Sequence, residues 1–173
     1  MKILLIGYMG SGKSSVGNRL AEVLKIPFKD MDAEIEQAEG LSISEIFSNK
    51  GEIYFRKTEN KVLKRLLGQT DSFVLATGGG TPCYADSLAF MLEQPNTVLV
   101  YLKVSLDVLT ERLLLEKDKR PLLAHLNGEE EVKDFIRKHL FERTYYYNQA
   151  NLIVDNSSEN IVETVEKIVS RLF

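Results

Sequence analysis

Several residue types that build common protein sites are scarce in this chain of 173 residues. Cys83 is its only cysteine, so an intrachain disulfide is excluded and a zinc site made of thiolates is disfavoured. The two histidines, His125 and His139, lie far apart and have no carboxylates at the spacing of metal ligands. We therefore expect both histidines to be surface or packing residues, and we expect no metal centre built from cysteine or histidine.

A basic excess and long apolar runs are also absent. The net charge of -3 at pH 7 argues against nucleic acid as the main partner. No apolar run approaches the roughly 20 residues that a membrane span needs. The opening residues MKILLIGYMG carry one lysine and lead straight into glycines, which is typical of a first strand and not of a secretory signal. We expect a cytoplasmic monomer with no membrane or nucleic-acid partner.

Short apolar runs of strand length alternate along the chain with segments of helical periodicity. Hydrophobic residues make up 44% and charged residues 27%, as in soluble globular proteins, and the length suits one domain covering residues 1–173. The alternation predicts an α/β fold in three layers, α/β/α, with a parallel sheet between helices. The predicted strands are 2–6, 28–30, 73–77, 97–102 and 152–154. One predicted helix begins at residue 13, and the others cover 52–67, 87–92, 105–115, 129–147 and 161–172.

The segment from Gly7 to Ser14 fits the phosphate-binding pattern G-x-x-x-x-G-K-S between a predicted strand and a predicted helix. Inward-facing N–H groups and the positive end of the helix favour phosphate there. We expect Lys13 to bridge the terminal phosphates and Ser14 to offer its hydroxyl to Mg²⁺. The guanine-reading pattern N-K-x-D is absent, because residues 60–63 read NKVL, so we expect ATP. The candidate nucleotide contacts in this loop are Gly10, Ser11, Gly12, Lys13, Ser14 and Ser15.

Asp30 and Asp32 flank Met31 at the end of the second predicted strand. Alternation of side chains along a strand places both carboxylates on one face, at the carboxyl edge of the sheet. One carboxylate can support the metal while the other accepts a hydrogen bond from an attacking hydroxyl. The alternative is that the pair caps the following helix, which is a common role of aspartate.

Three successive glycines, Gly78, Gly79 and Gly80, follow the third predicted strand, and they favour either a flexible turn or close approach of the backbone to a ligand. Arginine offers a planar fork to carboxylate or phosphate, and we select Arg56, Arg120 and Arg143 as candidate cations. Each of these arginines also has an ordinary surface interpretation. Arg120 stands in the charged segment 116–121, which is placed to close over a nucleotide as a lid and to exclude water.

Together these segments resemble the shikimate kinase family over essentially the whole chain. The matching stretches are GYMGSGKSSVG, FKDMDAEIE, ISEIFSNKGEIYFRKTE, LATGGGTP, RPLL and RTYYY, in the order and spacing of that family. The resemblance implies the fold of nucleoside monophosphate kinases, with a five-stranded parallel sheet, an acceptor-binding helical region at about residues 31–60 and a lid at about residues 113–124. It implies that ATP phosphorylates shikimate to shikimate 3-phosphate, on the route to chorismate and the aromatic amino acids.

The resemblance also implies a role for each matching residue. Asp32 would hold the hydroxyls of shikimate and act as or orient the base, while Arg56 and Arg143 would bind its carboxylate. The glycines 78–80 would contact the acceptor through backbone atoms. Arg120 would contact the ATP phosphates and the transition state, Ser14 and Asp30 would form the Mg²⁺ site, and Arg112 would stack near adenine.

Two alternatives remain at this point. A gluconate-type sugar-acid kinase would share the nucleotide chemistry and differ at the acceptor, but FRKTE and GGG argue against it. The second alternative is a non-catalytic, nucleotide-dependent binding module. Such a module has no chemical need for the full set of catalytic residue types, so their joint presence argues against it; the set is Lys13, Ser14, Asp30, Asp32 and Arg120.

Overall fold

A computed structural model of the chain contains a sheet of five parallel strands, which confirms the predicted α/β class. The structure describes residues 1–158 and 160–173, and of residues 119 and 121 the backbone alone. The strand order is β2-β3-β1-β4-β5, with Lys2 of β1 opposite Phe73 of β3 and Thr97 of β4. The strands are β1 Lys2–Ile6, β2 Phe28–Asp30, β3 Phe73–Ala76, β4 Thr97–Lys103 and β5 Leu152–Asp155.

Helices connect the strands. The residue pattern did not predict the helical segments between residues 31 and 51. The helices are α1 Lys13–Leu24, α2 Met31–Glu39, α3 Ile43–Leu67, α4 Ser87–Glu93, α5 Leu106–Leu115, α6 Pro121–Ala124, α7 Gly128–Tyr147 and α8 Ile161–Leu172, with short 3-10 turns at Thr81–Cys83 and Lys117–Lys119. Helix α3 begins with a capping box formed by Ser42 and Glu45. It is interrupted at Gly51, whose φ of 80° is left-handed, so the predicted helix 52–67 corresponds to its second part.

Strand residues alternate between the two faces of the sheet, and each face carries its own apolar cluster. Leu4 and Ile6 point to one side, where they pack with residues of α2, α3, α4, α5 and α7. Ile3 and Leu5 point to the other side, where they pack with α1 and α8. These strand side chains have no exposed surface, which explains why the strand reads as an uninterrupted apolar run. The result is the predicted sandwich of helices, sheet and helices.

The parallel arrangement brings the carboxyl ends of the strands to one edge of the sheet. The segments that follow β1, β2 and β3 therefore lie close together, and they carry the phosphate loop, the aspartates at the start of α2 and the three glycines. Among the residues that the structure describes, none of the helices has the length and hydrophobicity that crossing a bilayer requires.

Candidate active site

The phosphate loop (residues 7–14) connects β1 to α1 and is built on left-handed glycine backbone. Gly12 caps α1 with a φ of 84°, a conformation in which other residues are strained. A Cβ atom at this position would also lie 2.9 Å from Nδ2 of Asn156. Glycine is therefore strongly favoured at this turn, and the turn aims the first N–H groups of α1 into the cleft.

Lys13 lies across this loop and is held by three oxygen acceptors. Its Nζ donates to the carbonyl oxygens of Gly7 at 2.8 Å and Tyr8 at 2.9 Å, and to Oγ of Ser11 at 3.4 Å. Desolvation lowers the pKa of Lys13 to about 8, and the Asp32 carboxylate opposes this shift. Lys13 is therefore still mostly protonated at neutral pH, and a phosphate group at this position would favour the protonated form further.

Ser14 and Asp30 are in contact, and Asp32 is placed differently from the sequence expectation. Ser14 Oγ donates to Asp30 Oδ2 at 2.9 Å, and the N–H of Asp32 donates to Asp30 Oδ1 at 3.0 Å. Asp30 is thus the N-cap of α2, and Asp32 lies in the first turn of that helix and not on the strand. The expectation from strand alternation was wrong here, because the capping side chain ends β2 at Asp30 and starts the helix at once. The capping alternative holds for Asp30, and the two aspartates remain neighbours.

Asp32 faces Lys13 from α2 and has an altered acidity. Its side chain is open to the solvent of the cleft, yet the cleft walls raise its pKa to about 6, chiefly by desolvation and then through the charges of Asp30 and Glu59. Lys13 acts in the opposite direction and lowers this pKa. A carboxylate with a pKa near 6 is ionised at neutral pH and still basic enough to share a proton.

Gly78, Gly79 and Gly80, which we call the glycine turn, bring two distant arginines together. A Cβ atom on Gly80 would lie 2.7 Å from Nη1 of Arg56, and one on Gly79 would lie 3.4 Å from Nη1 of Arg143. A side chain at position 80 would therefore displace the Arg56 guanidinium from its present position. On Gly78, a Cβ atom would lie 2.8 Å from Oε1 of Glu59. The glycine turn is thus packed against charged side chains of the protein, and its contact with a ligand stays a prediction.

The two arginines differ in their partners. Arg56 pairs with Glu59 at 3.1 Å and with Glu52 at 3.4 Å. Among the described residues, no carboxylate pairs with Arg143, whose guanidinium lies 5.8 Å from the centre of the Tyr8 ring and interacts with the hydroxyl of Tyr147. Arg143 is therefore the cation with more unsatisfied charge for an incoming anion.

Arg120 and Arg112 lie in the wall of the cleft that Lys13 and Asp32 also line. The Nε of Arg120 donates to Glu116 Oε2 at 2.9 Å, and the charge of Arg120 contributes to lowering the Lys13 pKa. Arg112 donates to the carbonyl oxygens of Gly10 at 3.2 Å and Asn156 at 3.1 Å. Arg112 thus ties the phosphate loop to the segment that follows β5.

A cleft of about 650 Å³ joins these elements. Of the predicted residues, those in its wall are Gly10, Gly12, Lys13, Ser14, Ser15, Asp30, Asp32, Gly78, Gly79, Arg112 and Arg120. Four predicted residues lie outside the wall of the cleft. Ser11 is a buried residue of the phosphate loop, Gly80 is the last residue of the glycine turn, and Arg56 and Arg143 contact that turn. The cleft is therefore lined by most of the predicted nucleotide residues and by Asp32, Gly78 and Gly79 of the acceptor side, and the two arginines of the acceptor side contact the glycine turn at its border.

The comparisons with known proteins agree with this geometry. The shikimate kinase family profile matches residues 9–173. A shikimate kinase of Flavobacterium johnsoniae is 47% identical over 171 residues, which are 99% of this chain and 98% of that protein. The chain belongs to the shikimate kinase family.

Solved shikimate kinases have the same fold. The enzyme of Bacteroides thetaiotaomicron superposes with a TM-score of 0.88 at 32% identity, covering 99% of this chain and 98% of that one. The enzyme of Acinetobacter baumannii, solved in complex with shikimate, superposes with a TM-score of 0.84 at 33% identity, covering 99% and 92%. The predicted family and fold are confirmed, and family membership makes this chain an ATP-dependent kinase.

Three further residues of this shikimate kinase family member support the site and were not selected from the sequence. Buried Asn156 donates from Nδ2 to the carbonyl oxygen of Ser11 at 2.7 Å. Glu59, also buried, accepts from Thr81 Oγ1 at 2.6 Å and pairs with Arg56. The hydroxyl of buried Tyr147 donates to the carbonyl oxygen of Gly79 at 2.6 Å. Glu59 and Tyr147 each had a local signal, since Glu59 lies three residues after Arg56 and Tyr147 four residues after Arg143 on the same helical face. Asn156 had none.

Proposed function

We propose that this chain transfers the γ-phosphoryl group of ATP to the 3-hydroxyl of shikimate, giving ADP and shikimate 3-phosphate. The observation that carries the proposal is the convergence of Arg56 and Arg143 on the glycine turn, beside the cleft that also holds Lys13 and Asp32. Two guanidinium groups suit the carboxylate of a small acid, because each offers parallel N–H donors. The same cleft supplies the cations that a phosphoryl transfer needs.

At the acceptor end, Asp32 would receive the hydrogen bond of the attacking hydroxyl and then its proton. The raised pKa supports this role, because a general base is most effective when its pKa lies near the working pH. Arg56 and Arg143 would hold the carboxylate of shikimate, and the backbone of Gly78, Gly79 and Gly80 would contact its ring. Such fixing of the acceptor aligns its hydroxyl with the phosphorus atom.

At the nucleotide end, Lys13 would neutralise charge on the β- and γ-phosphates, and the N–H groups of the phosphate loop would bind them. Arg120 would stabilise the charge that grows on the transferred group. Arg112 would lie beside adenine, and its bonds to Gly10 and Asn156 support this placement by fixing its guanidinium at the wall of the cleft.

The donor set at Ser14 and Asp30 fits Mg²⁺. Both residues present hard oxygen atoms, and their 2.9 Å hydrogen bond places these atoms together beside the phosphate loop. Mg²⁺ is usually held by one or two protein oxygens and completes its coordination with water and phosphate oxygens. When bound, it would neutralise negative charge on the phosphates. In the described residues no group of three or more acidic, histidine or cysteine side chains forms a metal cage, in keeping with such a shared site.

We further propose a monomer of one domain, with an acceptor-binding region at about residues 31–60 and a lid at about residues 113–124. The lid residues form the end of α5, a 3-10 turn and α6, and they carry Arg120 to the cleft. Closure of this segment would exclude water from the reaction. The cytoplasm, where ATP is available, is the proposed compartment.

The test is a coupled assay of ADP release with MgATP and one candidate acceptor at a time. Shikimate, quinate, gluconate and nucleoside monophosphates are compared at equal concentration, and the product is identified by mass and by its phosphorus spectrum. We expect turnover with shikimate to exceed that with each other acceptor. A preference for gluconate or a nucleotide would refute the proposal.

A further inference from the structure

The guanidinium of Arg56 is confined by groups on several sides. Its centre lies 4.0 Å from the centre of the Tyr84 ring and 5.1 Å from that of Phe55. Glu59 and Glu52 accept hydrogen bonds from its edges. The backbone of Gly80 approaches it so closely that a Cβ atom would lie 2.7 Å from Nη1. Of these contacts, the one with Tyr84 is the shortest between the guanidinium and an aromatic ring.

Tyr84 comes from the same segment as the glycine turn. It follows the 3-10 turn Thr81–Cys83, which starts directly after Gly80. Thr81 is fully buried and bonded to Glu59, so the start of this short connection is anchored in the protein. The segment therefore brings both a glycine backbone and an aromatic ring to one arginine of α3.

An arginine side chain needs such support to recognise a carboxylate. It has many rotamers, and ordering it costs up to about 2 kcal/mol in conformational entropy. An aromatic ring stacked on the guanidinium restricts these rotamers and leaves the N–H edges available for an anion. The ring also shields one guanidinium face from water, which strengthens an ion pair at its edge.

We infer that Tyr84 is a positioning residue for acceptor recognition, which holds Arg56 in the orientation that binds the substrate carboxylate. This inference rests on the proposed function. The contact uses the ring face and not the hydroxyl, so phenylalanine should replace tyrosine. Leucine, which preserves apolar volume but has no π face, should not.

The experiment compares Tyr84→Phe, Tyr84→Leu and Tyr84→Ala by steady-state kinetics and by calorimetric titration with shikimate. We expect Tyr84→Leu and Tyr84→Ala to raise the KM and Kd for shikimate about 3- to 10-fold, the range of a partly exposed cation–π contact. The kcat and the KM for ATP should change by less than about 2-fold, and Tyr84→Phe should match the wild type. Phe90→Leu is the matched control, because that ring lies 5.3 Å from Lys64 in a cation–π pair away from the glycine turn.

A double-mutant cycle separates positioning from a general structural effect. In an Arg56→Ala background, Tyr84→Leu should change the Kd for shikimate by less than about 2-fold, because the group that it positions is gone. An undiminished effect in that background would overturn the inference, as would unchanged binding in both Tyr84→Leu and Tyr84→Ala. Either result with an active wild type leaves the proposed function standing. A wild type that does not phosphorylate shikimate would overturn the proposed function and this inference together.

Discussion

Removing Arg143 should weaken shikimate binding more than removing Arg56, although both arginines contact the glycine turn. Arg56 already has Glu52 and Glu59 as partners, so part of its charge is compensated before the substrate binds. Arg143 has no carboxylate partner among the described residues and is half-buried beside Tyr8 and Gly79. Under the proposed function, no carboxylate of the described residues competes with shikimate for this guanidinium.

The magnitude follows from the cost of removing one member of a desolvated charge pair, which is about 2 to 5 kcal/mol. For Arg56→Ala we expect the lower end, about 2 kcal/mol or roughly 30-fold in Kd. For Arg143→Ala we expect about 3 to 4 kcal/mol, or roughly 150- to 900-fold. The affinity for ATP should stay nearly unchanged in both variants, because Lys13 and the phosphate loop are intact.

Titration calorimetry with shikimate and with its analogue reduced from carboxylate to alcohol measures these losses. The analogue should bind the wild type weakly and lose much less affinity in the two variants, because both changes remove the same interaction. Arg137→Ala is the matched control, since Arg137 lies on α7 near Arg143 but is exposed and paired with Asp134 at 3.0 Å. Fully additive losses in this cycle would show that neither arginine meets the carboxylate, and the reasoning would be refuted.

Three other residues give predictions that rest on the cleft. Lys13→Ala should abolish turnover while circular dichroism and the thermal midpoint stay close to the wild type, and near-normal turnover in a folded variant would contradict the phosphate-loop assignment. Arg120→Ala should lower kcat far more than shikimate affinity, and the reverse pattern would place this arginine in the acceptor pocket. The kcat/KM for shikimate should fall as the pH drops through about 6, where Asp32 becomes protonated, and a pH profile without this limb would exclude Asp32 as the base. Because the folded-state pKa of Asp32 is raised, its ionised carboxylate destabilises the fold above about pH 6, and this cost disappears as the pH falls toward 4. In urea titrations Asp32→Asn should therefore increase the free energy of unfolding at pH 8 by up to about 1 kcal/mol, discounted for solvent screening, and have little effect near pH 4.

The predictions that came from local patterns agree closely with the structure. The apolar run of β1 is continuous because both faces of that strand are buried, and this requirement is visible in residues 2–6 alone. The phosphate loop is equally local, since its glycines, Lys13 and Ser14 follow one another between a strand and a helix. The break of α3 at Gly51 separates the part that periodicity predicted from the part that it missed.

Asp32 shows where local reasoning failed. Strand alternation would place Asp30 and Asp32 on one face of an extended strand, whereas helix capping places Asp30 at the N-terminus of a helix and Asp32 inside it. Because β2 has only three residues, the sequence alone could not distinguish these two arrangements. The capping bond from the N–H of Asp32 to Asp30 decided the outcome. Asp32 therefore lies on α2 and not on β2, but it is still next to Asp30.

The amino-acid sequence by itself determined the alternation of strands and helices, the phosphate loop and the residue types of the site. Each of these depends on neighbours within one turn or one strand, so periodicity and motif spacing carry it. Only the tertiary structure decided that Arg56 and Arg143 meet at the glycine turn, that Asn156 supports Ser11 and that Arg112 bonds to Gly10. These contacts join residues far apart in the chain, and they arise because parallel strands bring their carboxyl ends, and the loops that follow, to one edge of the sheet.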